Sequence, residues 1–196
     1  MRKTLFTVIA MATISGCVTE TYRPRNYAEL VISDNYNFFK SRRIAVLPFI
    51  VSGEKENTRY TESDKLSTKL MKMGFTVVER TLLEQVFSEL KLSLTGAISP
   101  DKLKQIGGML SVDLIVFGTL EMGYAPARGT GEGWGQGAYY FLTSVSVRMV
   151  DVTTGEVMVS AYCDKDRIPY GRNMIEEIAE SIRRDLIDFD GKKKDE

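Results

Sequence analysis

The sequence predicts an α/β fold, in which one mixed sheet of about five strands is covered by helices. Two short, continuous apolar runs, at residues 44–49 and 114–119, indicate buried strands. Apolar residues spaced three or four positions apart between these runs indicate helices, and two alternating segments at residues 141–161 indicate a hairpin. With 43% hydrophobic and 27% charged residues in 196, the composition is that of a globular domain.

The elements of the first half follow from local patterns. Thr61, followed three residues later by Asp64, is a capping-box pattern that predicts the start of a helix, and Gly74 predicts its end. A second strand comes directly after Gly74. Thr81 with Glu84 predicts the start of the next helix by the same pattern.

A third helix follows, and after it a glycine-rich segment and a hairpin. Ser99 before Pro100 is the typical order of an N-cap and a first helical residue. After the strand at 114–119, residues 122–137 hold six glycines and predict a long loop or a weak hairpin. The hairpin beyond it turns at residues 153–155. Its inward-facing residues are predicted to be Phe141, Val145, Val147 and Met149 on one strand and Val157, Val159 and Ala161 on the other.

The last helix is predicted to begin at Asn173 with Glu176, and its inner face carries isoleucines and a leucine at helical spacing. The element order β-α-β-α-α-β-β-β-α predicts parallel pairing early in the chain and antiparallel pairing in the hairpin. Cys163 lies in an apolar stretch and is expected to be a small buried hydrophobic residue.

The first residues indicate a targeting signal rather than part of the folded domain. Arg2 and Lys3 precede an apolar segment at residues 5–14, which is too short to span a membrane and typical of a signal peptide. It ends with Ile14-Ser15-Gly16-Cys17, the pattern of a bacterial lipobox. In a lipobox the cysteine is lipidated and, once the signal peptide has been cleaved off, becomes the first residue of the mature protein. A plain secretory signal with a chance cysteine is the alternative. Val18 after the cysteine favours the outer membrane, with the soluble domain facing the periplasm.

These patterns divide the chain into four parts. Residues 1–16 are predicted to be a lipoprotein signal peptide, and residues 17–40 a lipidated tether with an ambiguous N-terminal segment whose aromatic residues could pack on the domain or await a partner. Residues 41–190 form the predicted periplasmic domain. Residues 191–196 form a charged tail.

Composition also excludes whole classes of function. The chain has no histidine and only two cysteines, so histidine-dependent catalysis and Cys- or His-based metal sites cannot be built. Lys plus Arg and Asp plus Glu are both 26, and this balance argues against nucleic acid as a partner. We therefore expect no enzyme activity, cofactor, metal or small-molecule substrate.

Several segments together resemble the CsgG family. These are residues 44–49, the step at 77–80, residues 94–96, Asp113 with Gly118, and residues 154–156, in the family's order over roughly residues 43–162. A looser resemblance extends to the LpoB family of penicillin-binding-protein activators and to the TolB amino-terminal domain. The resemblance implies an α/β sandwich in an envelope lipoprotein that works through protein contacts and is a candidate homo-oligomer.

The family also implies two alternatives for function. One is a subunit of an oligomeric, curli-type secretion pore, to which each subunit gives two hairpins. This chain has only one candidate hairpin, at residues 119–143, so the resemblance carries the fold and the anchor further than the pore. The other alternative is an activator of a cell-wall synthase, as in the LpoB family.

The glycine-rich segment supplies the candidate contact residues. Glycines at alternate positions from 129 to 137 would share one face of an extended chain, and polar residues with Trp134 would share the other. A flexible loop is the plainer interpretation of the same residues. We predict that Tyr124, Arg128 and Trp134 contact an envelope partner, and that the membrane is reached through the lipid on Cys17.

Overall fold

The computed structural model describes residues 26–37, 43–52, 56–92, 98–126 and 138–194. In chain order the elements are β1 (Glu29–Ile32), β2 (Arg43–Val46), β3 (Ile50–Ser52), α1 (Glu56–Lys72), β4 (Thr76–Val77), α2 (Arg80–Glu89), α3 (Pro100–Leu110), β5 (Leu114–Pro126), β6 (Ala138–Asp151), β7 (Val157–Asp164) and α4 (Met174–Lys194). The predicted signal peptide and Cys17 lie outside the described residues, as do residues 94–96 of the family pattern.

Within the described residues the strands form one mixed sheet of seven, in the order β1-β7-β6-β5-β2-β4, with β3 also paired to β5. The strands β2, β3 and β4 are held in parallel pairings, and β5, β6, β7 and β1 follow one another antiparallel. The predicted α/β class and the mixed pairing are confirmed. The sheet has two strands more than expected, because β1 and β3 alternate between exposed and half-buried residues and so lack the continuous apolar run that marks a buried strand.

Helices cover the sheet on both faces. The helices α1 and α4 share one buried cluster with the sheet, in which Leu66, Leu70 and Ile178 are fully buried. The helices α2 and α3 share a second cluster with residues of β2 and β5 that point the other way, such as Ala45 and Ile115. Burying apolar side chains on both faces is what drives a central strand into this position.

Asp113 joins the starts of the two central parallel strands. Its carboxylate oxygen Oδ2 accepts a hydrogen bond from the backbone N–H of Arg43 at 2.9 Å. Its own N–H donates to the Arg43 carbonyl, and its carbonyl accepts from Val152. Asp113 therefore has a structural role, since it ties together the ends of β2, β5 and β6.

Gly118 makes room for a buried ring. A Cβ built on Gly118 would lie 2.2 to 2.5 Å from three ring carbons of Phe49, which is itself fully buried. The ring therefore lies against the β5 backbone, and only glycine leaves space for it. This contact explains the glycine in an otherwise apolar strand.

The predicted starts of α1 and α2 are wrong, because in both cases the residues of the apparent capping box have other positions or partners in the structure. The helix α1 begins at Glu56, so Thr61 and Asp64 lie inside it, and Asp64 pairs instead with Arg80. The N-cap of α2 is Glu79, whose carboxylate accepts a hydrogen bond from the backbone N–H of Thr81 at 2.9 Å. Residues 79 and 80 thus lead from β4 into α2.

The other predicted boundaries of the helices agree with the structure. Ser99 is the N-cap of α3 with Pro100 as its first residue, and Gly74 ends α1 at a φ of +96°. The Asn173 side chain accepts from the backbone N–H of Ile175 at 2.9 Å at the start of α4. Glu176, in contrast, pairs with Lys69 of α1 instead of completing a capping box. The helix α4 continues to Lys194, through the first four residues of the expected tail.

The sheet begins inside residues 17–40, in the ambiguous part whose aromatic residues could pack on the domain or await a partner. The strand β1 pairs antiparallel with β7, Glu29 opposite Tyr162 and Ile32 opposite Val159. Tyr36, one of the ambiguous aromatic residues, is 1% exposed and belongs to the core. The domain therefore starts before residue 41, because β1 and Tyr36 complete the buried cluster under α4.

Two irregularities shift the predicted alternation of the hairpin. Between Glu121 and Met122 of β5, the partner strand β6 contains one extra residue, Thr143, so that Leu142 rather than Phe141 packs against the core. Near the turn, Met158 is the extra residue of β7. As a result Met158 is buried, whereas Val157 is 44% exposed. The remaining inward-facing residues, from Val145 to Met149 and from Val159 to Ala161, are buried as predicted.

Cys163 is fully buried and its thiol has no disulfide partner among the described residues. Burial, and then the negative charges of Asp164 and Glu177, raise the pKa of the thiol to about 11. The group therefore stays neutral at physiological pH and is no nucleophile. The expectation of a small buried hydrophobic residue is confirmed.

Candidate functional site

The strands β5 and β6 extend past the rest of the sheet as a two-stranded arm. The strand β3 ends where Ser52 lies opposite Glu121, and β7 ends where Asp164 lies opposite Ser144. Beyond these points the structure describes no third strand, and residues 122–126 pair only with residues 138–142. These two stretches are called the arm below.

The arm is attached at a bulge with a complete set of hydrogen bonds. The hydroxyl of Thr143, the extra residue, donates to the Glu121 carbonyl at 2.9 Å, and the Ser144 hydroxyl donates to the Glu121 carboxylate at 2.7 Å. The Thr143 carbonyl in turn accepts from the backbone N–H of Lys165 at 2.8 Å. A bulge redirects a strand pair and increases its twist, so this cluster sets the direction in which the arm leaves the sheet.

The arm carries large exposed aromatic side chains. Tyr124 is 62% exposed and Tyr139 is 58% exposed. Tyr124 lies opposite Tyr140 in the register, with the two ring centroids 5.7 Å apart in an edge-to-face arrangement. Such pairs hold the rings in place without burying them. The arm thus presents rigid aromatic surface to the surroundings of the domain.

The opposite face of the arm is held by a different arrangement. Gly123 lies opposite Phe141, and a Cβ on Gly123 would lie 2.9 Å from two carbons of the Phe141 ring. The Lys165 ammonium lies 3.9 Å from the centroid of that ring, which is a cation–π contact. The ring is therefore packed between a bare stretch of backbone and a cation, and this fixes the base of the arm to the end of β7.

The structure places one of the three predicted contact residues on the arm. Tyr124 lies there and is exposed, whereas Arg128 and Trp134 lie outside the described residues. The glycine-rich stretch from 127 to 137 is also outside them. Residues 122–126, predicted to belong to a long loop or a weak hairpin, are strand and pair with residues 138–142. Sequence reasoning missed Tyr139 and Tyr140, although three consecutive aromatic residues at 139–141 beside a glycine-rich segment are an available signal.

Other candidate groups have structural roles. The Asp164 carboxylate accepts hydrogen bonds from the backbone N–H groups of Asp166 and Arg167, both at 3.1 Å, and so closes a turn. Among the described residues no group of three or more Asp, Glu or Cys side chains is arranged to hold a metal ion. No helix in the same residues is both long enough and apolar enough to cross a membrane.

Comparison with known families decides the relationship. The family described as curli production assembly/transport component CsgG matches residues 47–174. The chain belongs to the CsgG family. This confirms the resemblance predicted from the sequence and associates the protein with the bacterial envelope, although no curated protein sequence matches the chain significantly.

Several solved structures are similar to this CsgG-family chain at low identity. A PelC dodecamer variant from Paraburkholderia phytofirmans is 15% identical with a TM-score of 0.48, covering 80% of this chain and 96% of the other. Lipoprotein GNA1162 from Neisseria meningitidis is 13% identical with a TM-score of 0.47, covering 74% and 98%. The LpoB C-terminal domain from Salmonella enterica is 15% identical with a TM-score of 0.42, covering 62% and 80%.

Proposed function

We propose that this protein is a lipoprotein, anchored in the outer membrane at Cys17, that acts in envelope assembly or secretion through protein–protein contacts rather than catalysis. The observation that carries the proposal is the arm, which holds Tyr124 and Tyr139 exposed and away from the sheet. Tyrosine is enriched in protein interfaces, because its ring buries a large area at a small cost in side-chain entropy. Membership of the CsgG family supports the envelope setting.

The anchor is tested by replacing Cys17 with serine. We expect Cys17→Ser to abolish incorporation of labelled fatty acid and to release the protein from the membrane fraction, because acyl chains supply the membrane affinity. The matched control is Cys163→Ala, which removes the other cysteine and should leave both readouts unchanged. Membrane attachment of Cys17→Ser equal to that of the wild type would show that the lipoprotein assignment is wrong.

The role of the arm is tested by site-specific photo-cross-linking in living cells. A photoreactive phenylalanine analogue at position 124 or 139 should capture defined envelope proteins, identified by mass spectrometry. The same analogue at Met71, which is 60% exposed on α1 and far from the arm in the fold, is the control and should capture none of them. Identical products from positions 71, 124 and 139 would contradict a contact role for the arm.

The captured proteins also separate the alternatives. A cell-wall synthase would support an activator, a curli-type subunit would support assembly or secretion, and a second copy of this chain would support a homo-oligomer. We expect the purified lipidated protein to produce no conductance steps in planar bilayers. Reproducible steps that are lost on deleting residues 129–137 would favour the secretion pore instead.

A further inference from the structure

A cleft lies at the base of the arm, between α1, the end of β7 and the start of α4. Its volume is about 460 Å³, within the range of small-molecule sites. Its apolar wall is formed by Leu142, Ile168 and Met174, and its charged residues are Glu62, Lys165 and Arg172. The cleft is thus amphipathic, with charges of both signs around an apolar wall.

Glu62 supplies an acceptor that the described residues leave unused. The residue is 8% exposed, although it carries a carboxylate. Its Oε1 atom accepts a hydrogen bond from the Lys65 ammonium at 2.7 Å. Its Oε2 atom is buried and accepts no hydrogen bond from any residue that the structure describes. A buried carboxylate oxygen without a donor is costly, so a ligand that brings an N–H donor into the cleft would be favoured there.

The rim of the cleft carries positive charge. Lys165 is exposed, and its ammonium rests on the Phe141 ring rather than on any carboxylate that the structure describes. The side chain of Arg172 is 52% exposed, and it pairs with Glu177 at 2.7 Å while its guanidinium lies over the Tyr27 ring. An anionic group at the mouth of the cleft would therefore meet two cations, and a cationic group deeper inside would meet Glu62.

The position of the cleft relative to the anchor is also defined. Arg172 contacts Tyr27, and Asn26 follows Cys17 by nine positions in the sequence. Nine extended residues reach about 30 Å at most. A lipid on Cys17 would therefore keep Tyr27, and the Arg172 side chain that lies over its ring, within about 30 Å of the membrane surface. Tyr170 on the same rim is fully exposed, and tyrosine is enriched at membrane–water interfaces.

We propose that this cleft binds a phospholipid headgroup that carries a primary ammonium and a phosphate, the chemistry of phosphatidylethanolamine. The ammonium binds the Glu62 carboxylate, whose side chain turns so that the buried Oε2 atom faces the cleft and accepts the hydrogen bond. The phosphate lies between Lys165 and Arg172 at the rim. Binding of this headgroup would hold the domain against the membrane in one orientation. The choice of a lipid over a peptide rests on the proposed anchor at Cys17, whereas the recognition of the two charges does not.

The test uses glycerophosphoethanolamine, the water-soluble headgroup, and the purified lipidated protein. Binding is followed by NMR of isotope-labelled methionine methyl groups, since Met174 lines the cleft. We expect a saturable shift of the Met174 signal with glycerophosphoethanolamine. Glycerophosphocholine, which has no N–H donor, and glycerol 3-phosphate, which has no ammonium, should produce none. The last probe is lysine amide acetylated on its α-nitrogen, which keeps the side-chain ammonium free. If it binds as tightly as glycerophosphoethanolamine, the lipid assignment is overturned in favour of a lysine side chain from a protein.

Variants decide whether Glu62 is responsible. We expect Glu62→Gln to weaken the affinity by about tenfold, because it replaces a charge-assisted hydrogen bond. The control Glu176→Gln makes the same change in charge on the exposed face of α4 and should bind normally. If Glu62→Gln does not fold by circular dichroism, Ile168→Trp fills the cleft without changing its charge and should abolish the shift.

Equal binding by Glu62→Gln and the wild type, or no shift with any probe, would overturn the proposal. The arm is tested separately by its cross-links, which Glu62→Gln should leave intact. Failure of the headgroup site and failure of the contact role are therefore distinguishable.

Discussion

Replacing Val116 with aspartate is expected to give the largest loss of stability. Val116 is 0% exposed and lies in β5, where it is paired with Val46 of β2 on one side and with Met149 of β6 on the other. A carboxylate there would be buried without a partner, at a cost of about 3–5 kcal/mol. Small domains are stable by only about 5–15 kcal/mol, so this change removes a large part of the stability and should lower the melting temperature by roughly 6–20 °C.

Thermal unfolding followed by circular dichroism measures this effect. The matched control is Val31→Asp, the same substitution on the edge strand β1, where the side chain is 69% exposed. The control should melt within a few degrees of the wild type. An unchanged melting temperature for Val116→Asp would mean that β5 is not the central buried strand.

Replacing Gly118 with alanine is expected to give the second largest loss of stability. The new methyl group would lie within 2.5 Å of three carbons of the Phe49 ring, which is enclosed by the core and cannot move aside freely. Overpacking of this kind costs typically about 1–3 kcal/mol. For a chain of this size, each kcal/mol lowers the melting temperature by roughly 2–4 °C.

Gly108 provides the control for this prediction. It lies in α3, and a Cβ there would contact nothing within 4 Å. Alanine is a better helix former than glycine by about 1 kcal/mol, so Gly108→Ala should stabilise the protein. The double variant Gly118→Ala with Phe49→Leu should lose less than the sum of the single variants, because the smaller side chain relieves the collision. Strictly additive losses would contradict the proposed contact.

The order of the main elements could be predicted because each depends on its own residues. The apolar runs in β2 and β5 indicate strands wherever they lie, and the pattern Ser99-Pro100 indicates the start of α3 without reference to any other element. The parallel and antiparallel pairings then follow from the alternation of strands and helices.

The errors arise where a partner element decides. Thr61 and Asp64 match a capping box, yet Asp64 pairs with Arg80, sixteen positions further along the chain. The extra residue Thr143 changes which side of β6 faces the core, and its place is set by the pairing with Glu121. Neither residue carries a local mark of the partner that it meets.

The candidate site shows the same division. Tyr124 could be proposed from its neighbourhood, but the exposure of Tyr139 depends on where β3 and β7 stop, which the sequence of the arm does not contain. The burial of the Glu62 carboxylate could not be predicted either, because an acidic residue in the middle of a helix is normally exposed to solvent.

The pairing of β1 with β7 has a consequence for the order of events during folding. About 130 residues of chain separate the two strands. The strand β1, which leaves a ribosome or a translocation channel first, can therefore pair only after β7, the last strand, has emerged. Contacts between such distant segments form late, because the loop between them must close first. In a chain that crosses a membrane in unfolded form, this arrangement would delay closure of the sheet until residues 157–164 have crossed, so that the edge strand β1 cannot pair early and stop the passage of the rest.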